Sequence, residues 1–229
     1  MKGLVFDKDG TLFDFNATWG AWALEMLKSE CGDDQDRVDV LANALGYDIA
    51  QRRFNAGSVV IAETVDVLAD HIIPHIVDKD KAALIGRMNA AASKVPQVEA
   101  APLKELFINL RARGLKLGVA TNDAEAPALA HLSKAGIVEL FDFIVGSDSG
   151  FGGKPAAGQL HGFCKATDLD AKDCAMIGDS LHDLHAGRAA GMKTIGVLTG
   201  PAKADELAPA ADVILGSIAE VPTWLDQQA

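Results

Sequence analysis

The sequence predicts an α/β protein: a Rossmann-like parallel sheet interrupted by an inserted, all-helical region. Three observations carry that prediction. A short apolar strand, Gly3–Phe6, runs straight into the turn-forming sequence Asp7-Lys8-Asp9-Gly10. Some eighty residues of helical periodicity follow, with no convincing strand among them. Beyond Pro96 strands and helices alternate, which implies a parallel sheet with helices on both faces.

The helical region begins with residues 17–29, which carry Trp19, Trp22, Ala23, Met26 and Leu27 at helical spacing. Cys31-Gly32-Asp33-Asp34 marks a stop and a new start, and residues 38–45 supply the next apolar face. Residues 52–58 break the pattern. Helices are expected over residues 59–71 and 78–93. In the alternating region, residues 102–113 read as a helix with proline in its first turn and Gly114 at its end. Strands are expected over 115–120, 141–145, 174–177, 193–198 and 212–215, and helices over 124–134, 159–167 and 183–190. The chain thus divides into an α/β core, residues 1–14 and 96–229, and a helical insertion, residues 15–95.

Bulk properties narrow the functional classes. A length of 229 residues fits one large or two modest domains, and 49% apolar residues provide for a sizeable core. The net charge of −11 argues against nucleic acid or an anionic membrane as partner. No secretory leader and no apolar run of about 20 residues is recognisable. Cys31, Cys164 and Cys174 are scattered without metal-ligand spacing. A cytoplasmic protein with reduced thiols, monomeric or homodimeric, is the expectation.

The chemistry gathers at strand ends, where ligands of open α/β sheets bind. Asp7 and Asp9 lie two residues apart just past the first strand. Carboxylates that close repel unless a cation or a shared proton intervenes, and a hard divalent ion such as Mg2+ supplies one. Thr121-Asn122 follows the second strand, Gly152-Gly153-Lys154-Pro155 lies beyond the third, and Gly178-Asp179-Ser180 ends the fourth, with Asp183 at the start of the next helix. Taken singly each has a plain reading: a helix cap for Thr121 and Asn122, a surface lysine, a helix-dipole charge for Asp183. Four such clusters in order at four strand ends make a strong set.

Asp7-Lys8-Asp9-Gly10-Thr11-Leu12 resembles motif I of the haloacid dehalogenase (HAD) superfamily in its phosphatase form, and the three later clusters resemble motifs II, III and IV. The helical insertion resembles a C1-type cap, and the whole chain resembles phosphoglycolate-phosphatase-like members. The resemblance implies Asp7 as nucleophile, Asp9 as general acid/base, and Thr121 and Asn122 as binders of phosphoryl oxygens. Lys154 would neutralise Asp7 and the transferring group. Mg2+ would be ligated by Asp7, Asp179 and the backbone carbonyl of Asp9, with Asp183 in support. The implied activity is Mg2+-dependent hydrolysis of small, phosphoglycolate-like phosphate monoesters through an aspartyl-phosphate. A β-phosphoglucomutase-like phosphomutase is the closest alternative. A non-enzymatic binding protein on the same scaffold is a third, weakened by the intact motif set.

Specificity would reside in the cap. Arg53, in the break beside Ala56-Gly57-Ser58, is expected either to bind a substrate carboxylate bidentately or to be solvated at a helix end, with Arg52 replacing it if the register shifts by one. Trp19 and Trp22 are expected in the cap core, His182 at the entrance, and His185 on a helix surface.

Overall fold

The computed structural model describes residues 1–55 and 57–228. Its centre is a six-stranded, fully parallel sheet made of β1 (Gly3–Phe6), β4 (Lys116–Ala120), β5 (Phe143–Val145), β6 (Cys174–Gly178), β7 (Lys193–Val197) and β8 (Val213–Leu215), in the order β5-β4-β1-β6-β7-β8. β1 lies at the middle, pairing Leu4 with Leu117 on one side and with Ala175 on the other. Chain order reverses there, with β4 and β5 on one flank and β6, β7 and β8 on the other.

Strand alternation divides the core between the two faces of this sheet. Leu4 and Phe6 join the cluster formed with α5 (Leu103–Ala112), where the Phe6 and Phe107 rings meet edge to face at 5.1 Å. Val5 points the other way, into a cluster with Leu160 and Phe163 of α7 (Gly158–Thr167) and Ala186 of α8 (Leu181–Ala190). The remaining core-side helices are α6 (Glu125–Lys134) and two short ones absent from the sequence reading, α9 (Ala204–Leu207) and α10 (Val221–Asp226). Both are only one or two turns long, too short for a periodicity signal.

Between β1 and Pro96 the helices are α1 (Phe15–Cys31), α2 (Gln35–Leu45), α3 (Val65–Ile72) and α4 (Lys81–Ala92). They bury a cluster of their own that includes Trp22, Leu41, Leu45, Ile72 and Met88. Caps explain the boundaries. Asp14 accepts from the Ala17 amide and starts α1 at Phe15, two residues before the expected onset.

The helix expected over 59–71 is divided. A single 3-10 turn, Val59–Ile61, follows Ser58, and Thr64 caps α3 afresh. The region is also not wholly helical. β2 (Tyr47–Asp48) and β3 (Arg53–Phe54) form a two-residue antiparallel ladder in the stretch read as a plain break. Strands that short leave no alternation to detect. Ala56, named in that break, lies outside the described residues. Among the described residues no helix is long and apolar enough to cross a membrane.

Candidate active site

Because the sheet is parallel, the carboxyl ends of β1, β4 and β6 open on one edge, and the loop after β5 joins them there. The order reversal between β1 and β6 leaves a crevice, the usual ligand position in open α/β sheets. Asp7 and Asp179 follow those two strands directly. The loop after β1 is tight: Gly10 adopts φ 83° and its amide donates to the Phe13 carbonyl at 2.7 Å. A Cβ on Gly10 or on Gly200 would collide with the Asp179 carboxylate, so two glycines make the seat for this side chain.

The structure brings Asp7, Asp179, Asp183 and Lys154 into one buried cluster. Lys154 Nζ donates to Asp7 Oδ1 at 2.5 Å and to Asp183 Oδ1 at 2.6 Å. The peptide between Lys154 and Pro155 is cis. Asp183 also closes a capping box at the start of α8, accepting from the Ser180 amide at 3.0 Å and its hydroxyl at 2.7 Å. The helix-terminus role and the site role therefore coincide in this residue. Thr11 Oγ1 donates to Asp179 Oδ1 at 3.3 Å.

One ligand oxygen from each of Asp7, Asp179 and Asp183 lies within 4.8 Å of the others. Burial pushes the Asp7 carboxyl up to about 7, helped by Asp183 and Asp9 and opposed by Lys154. Burial, then Asp7 and Asp183, raise Asp179 well above the carboxylate range. Burial works against the Lys154 charge, but Asp183 and Asp7 outweigh it and hold the ammonium above its ordinary value. One cation among three buried carboxylates leaves negative charge uncompensated, and an all-oxygen donor set suits a hard divalent cation.

Asp9 lines the same cleft but stands outside the three-carboxylate group. Its Oδ2 accepts from Lys8 Nζ at 2.6 Å, and its Oδ1 is buried without a partner. Lys8 is fully buried and was not singled out in the sequence. Its ammonium also lies 3.3 Å from Asp123 and 3.1 Å from Nδ1 of His131. His131 Nε2 is 2.7 Å from the Ala92 carbonyl, which only accepts, so the proton sits on Nε2 and Nδ1 accepts from Lys8.

Burial raises Asp123 to about 6 against the pull of Lys8, and burial followed by Lys8 lowers His131 to about 4. A lysine between two aspartates in a turn at a buried strand end was the available signal for Lys8. Asp123 directly continues Thr121-Asn122. His131 had only its place on the apolar face of α6, beside Ala128 and Leu132.

Thr121 is buried at the end of β4 and lines the cleft, while its Oγ1 accepts from the Asp123 amide at 3.1 Å. Asn122 has its amide group engaged on both sides. Nδ2 donates to the carbonyls of Ala62 at 2.7 Å and Lys154 at 2.9 Å, and Oδ1 accepts from the Lys154 amide at 2.7 Å. It thus ties the Lys154 loop to the helical region.

Arg53 is not brought to the site. Its neighbour Phe54 turns inward to pack on Phe15 and Tyr47, and alternation along β3 sends Arg53 to solvent, outside the cleft lining. Arg52 is exposed as well. The substrate contact expected of either has no counterpart in this arrangement. His182 lines the cleft and His185 is exposed. Trp22 is buried in the helical cluster as expected, the half-buried Trp19 packs against that cluster, and both line the cleft.

The family model described as haloacid dehalogenase-like hydrolase matches residues 4–197. A phosphoglycolate phosphatase of Colwellia psychrerythraea is 27% identical over 199 residues, covering 86% of this chain and 84% of that protein. The crystal structure of a predicted phosphoglycolate phosphatase from Haemophilus somnus superposes with TM-score 0.72 at 20% identity, over 98% of both chains. A β-phosphoglucomutase from Clostridium difficile superposes with TM-score 0.69 at 17% identity, over 100% of this chain and 96% of the other. The two structural likenesses concern the fold alone.

Proposed function

The chain belongs to the haloacid dehalogenase-like hydrolases, and from that premise we propose that it is a Mg2+-dependent phosphatase of small phosphate monoesters, working through an aspartyl-phosphate on Asp7. The observation that carries the reading is the buried group at the centre of the sheet edge: Asp7 on Lys154, Asp179 and Asp183 beside it, and Asp9 two residues on. The names of relatives make phosphoglycolate a compound to test. The mutase likeness concerns fold only, and no feature of the cleft favours a second hydroxyl as acceptor.

Each role follows from what the side chain has free. Asp7 commits Oδ1 to Lys154, which leaves Oδ2 to attack phosphorus and form the acyl phosphate while the ester P–O bond breaks. Lys154 places positive charge at the attacked centre, where it offsets the charge of the transferring group. Asp9 keeps Oδ1 without a partner, so this oxygen can deliver a proton to the departing alcohol and later take one from the hydrolytic water. Lys8 holds the other Asp9 oxygen and fixes the carboxyl plane. The Thr121 hydroxyl, at the end of β4, is set to bind a phosphoryl oxygen, and Asn122 holds the Lys154 loop in register.

Mg2+, held by Asp7, Asp179 and the Asp9 carbonyl with Asp183 in support, would neutralise the phosphoryl oxygens. In the same reading residues 15–95 act as a cap over a core of residues 1–14 and 96–229, excluding water and choosing the leaving group. Their separate apolar cluster supports that division.

Phosphate release measured with Mg2+ across a panel of monoesters tests the proposal. Asp7→Asn should abolish release while the protein stays folded; unchanged turnover in that variant would remove Asp7 from the mechanism.

A further inference from the structure

The charge and polarity of the cleft go further than the reaction class and bear on what the phosphate is attached to. The floor is strongly acidic: Asp7, Asp9, Asp123, Asp179 and Asp183 line it, and Glu63 lies above. Among the described residues of the lining, Lys154 is the single fixed cation, and Asp7 and Asp183 already hold it. Lys8 is fully buried and committed to Asp9, Asp123 and His131. Only His182 could add positive charge to the lining. The phosphoryl group itself would be compensated by Lys154 and a divalent cation. A second anion on the leaving group would find no uncommitted fixed cation among the described residues of the lining.

The helical region gives the lining a mostly apolar side: Phe15 and Trp19 of α1, Ile61, Val65 at the start of α3, and Met88 of α4, with Asn89 as a polar exception beside Met88. Trp22, also in the lining, meets Trp19 with ring centroids 5.4 Å apart, and its indole N–H is spent on the Met88 carbonyl at 3.2 Å. The half-buried Trp19 has its ring centre 5.8 Å from Lys8 Nζ, the ammonium that bonds Asp9. The apolar wall therefore begins directly beside the carboxyl group that would protonate the leaving oxygen. Sugar hydroxyls against the Trp19, Ile61 and Val65 part of this wall would be buried without partners, which is penalised; an apolar group there is removed from water, which is favourable.

We propose that the alcohol released at this site is uncharged and apolar, a compact aromatic or branched alkyl group seated against Trp19, Ile61 and Val65. The proposal rests on the phosphatase reading above. In balanced form, the ester P–O bond breaks as Asp7 Oδ2 bonds to phosphorus. The departing oxygen takes the Asp9 proton, and the alcohol ROH leaves. Water then attacks phosphorus, its proton returns to Asp9, and inorganic phosphate departs with Asp7 restored.

The test is kcat/KM of the full chain with Mg2+ on benzyl phosphate, ethyl phosphate, phosphoglycolate and glucose 6-phosphate. All four are esters of alkyl alcohols, so none has the intrinsically activated leaving group of an aryl phosphate. Benzyl phosphate should exceed phosphoglycolate and glucose 6-phosphate by roughly tenfold or more, the size of discrimination that apolar pockets give. Trp19→Ala should lower the ratio of benzyl to ethyl phosphate by about tenfold. Phosphoglycolate or the sugar phosphate equal to or above benzyl phosphate would overturn this inference and leave the phosphatase reading standing. A benzyl-to-ethyl ratio unchanged in Trp19→Ala would overturn it too. No phosphate from any ester would overturn both. If Trp19→Ala does not fold, the panel on the native protein decides.

Discussion

Lys8→Met is the substitution whose consequence can be worked furthest from the structure. Methionine matches the aliphatic stem in length, so no large cavity opens and the change is one of charge. The ammonium that disappears serves three groups: Asp9 Oδ2 at 2.6 Å, Asp123 at 3.3 Å and His131 Nδ1 at 3.1 Å. Removing one partner of a buried ion pair typically destabilises by about 3–5 kcal/mol, because the remaining charge has neither water nor counterion. Against a usual domain stability of about 5–15 kcal/mol that is a large fraction.

The loss should depend on pH, with a sign set by Asp123. Burial already raises its carboxyl to about 6 and Lys8 opposes the rise, so removing Lys8 drives it higher. The folded state then binds more protons than the unfolded one, and stability falls as pH rises from the unfolded carboxylate value of about 3.9 to the new folded value. Lys8→Met should thus lose less at pH 5.5 than at pH 8. Urea unfolding followed by tryptophan fluorescence at both pH values measures it. A loss below about 1 kcal/mol, or one equal at the two pH values, would refute the claim that the lysine charge is what stabilises the buried acids.

Other consequences can be checked on the same material. Mg2+ should raise the melting temperature of the native protein, and Asp179→Asn should abolish that shift; an undiminished shift in the variant would move the metal away from this residue. Asn122→Ala deprives the Ala62 and Lys154 carbonyls and the Lys154 amide of partners, so it should destabilise by about 1–3 kcal/mol and raise protease sensitivity near Lys154. His131, held at about 4 in the fold, binds fewer protons than in the unfolded chain. Its contribution is present above the unfolded histidine value of about 6.5 and is lost as pH falls toward 4. His131→Gln should remove that acid-limb component from the pH dependence of stability, and an unaltered limb would assign it to other groups.

The site was legible where chemistry and chain order coincide. Asp7, Thr121, Lys154 and Asp179 each follow a strand whose apolar run is plain in the sequence, and the parallel sheet gathers them on one edge. The direction of a side chain in a short irregular segment was not legible. Arg53 lies in a two-residue ladder whose inward partner, Phe54, is fixed by packing on Phe15, a contact between separate segments. The break between Ile61 and Val65 turned on Thr64 acting as a cap, and apolar periodicity ran across it without interruption. Lys8 shows a further limit. Composition favours exposed lysines, and only the three-dimensional meeting of Asp9, Asp123 and His131 makes its burial tolerable.

The central position of β1 also governs how the fold can be reached. Leu4 pairs with Leu117 and Ala175, so the strand that carries Asp7 makes no sheet contact with its neighbours in sequence. Such non-local pairing slows folding, because a long loop must close before the contact is gained. At a translation rate of roughly 5–20 residues per second, about ten seconds or more separate the synthesis of Leu4 from that of Ala175. Until then the edge that pairs with β6 stays open even if β4 has already covered the other, a condition that favours association with other nascent chains. The arrangement that opens the crevice beside Asp7 thus leaves one edge of its strand bare until about three quarters of the chain has been made.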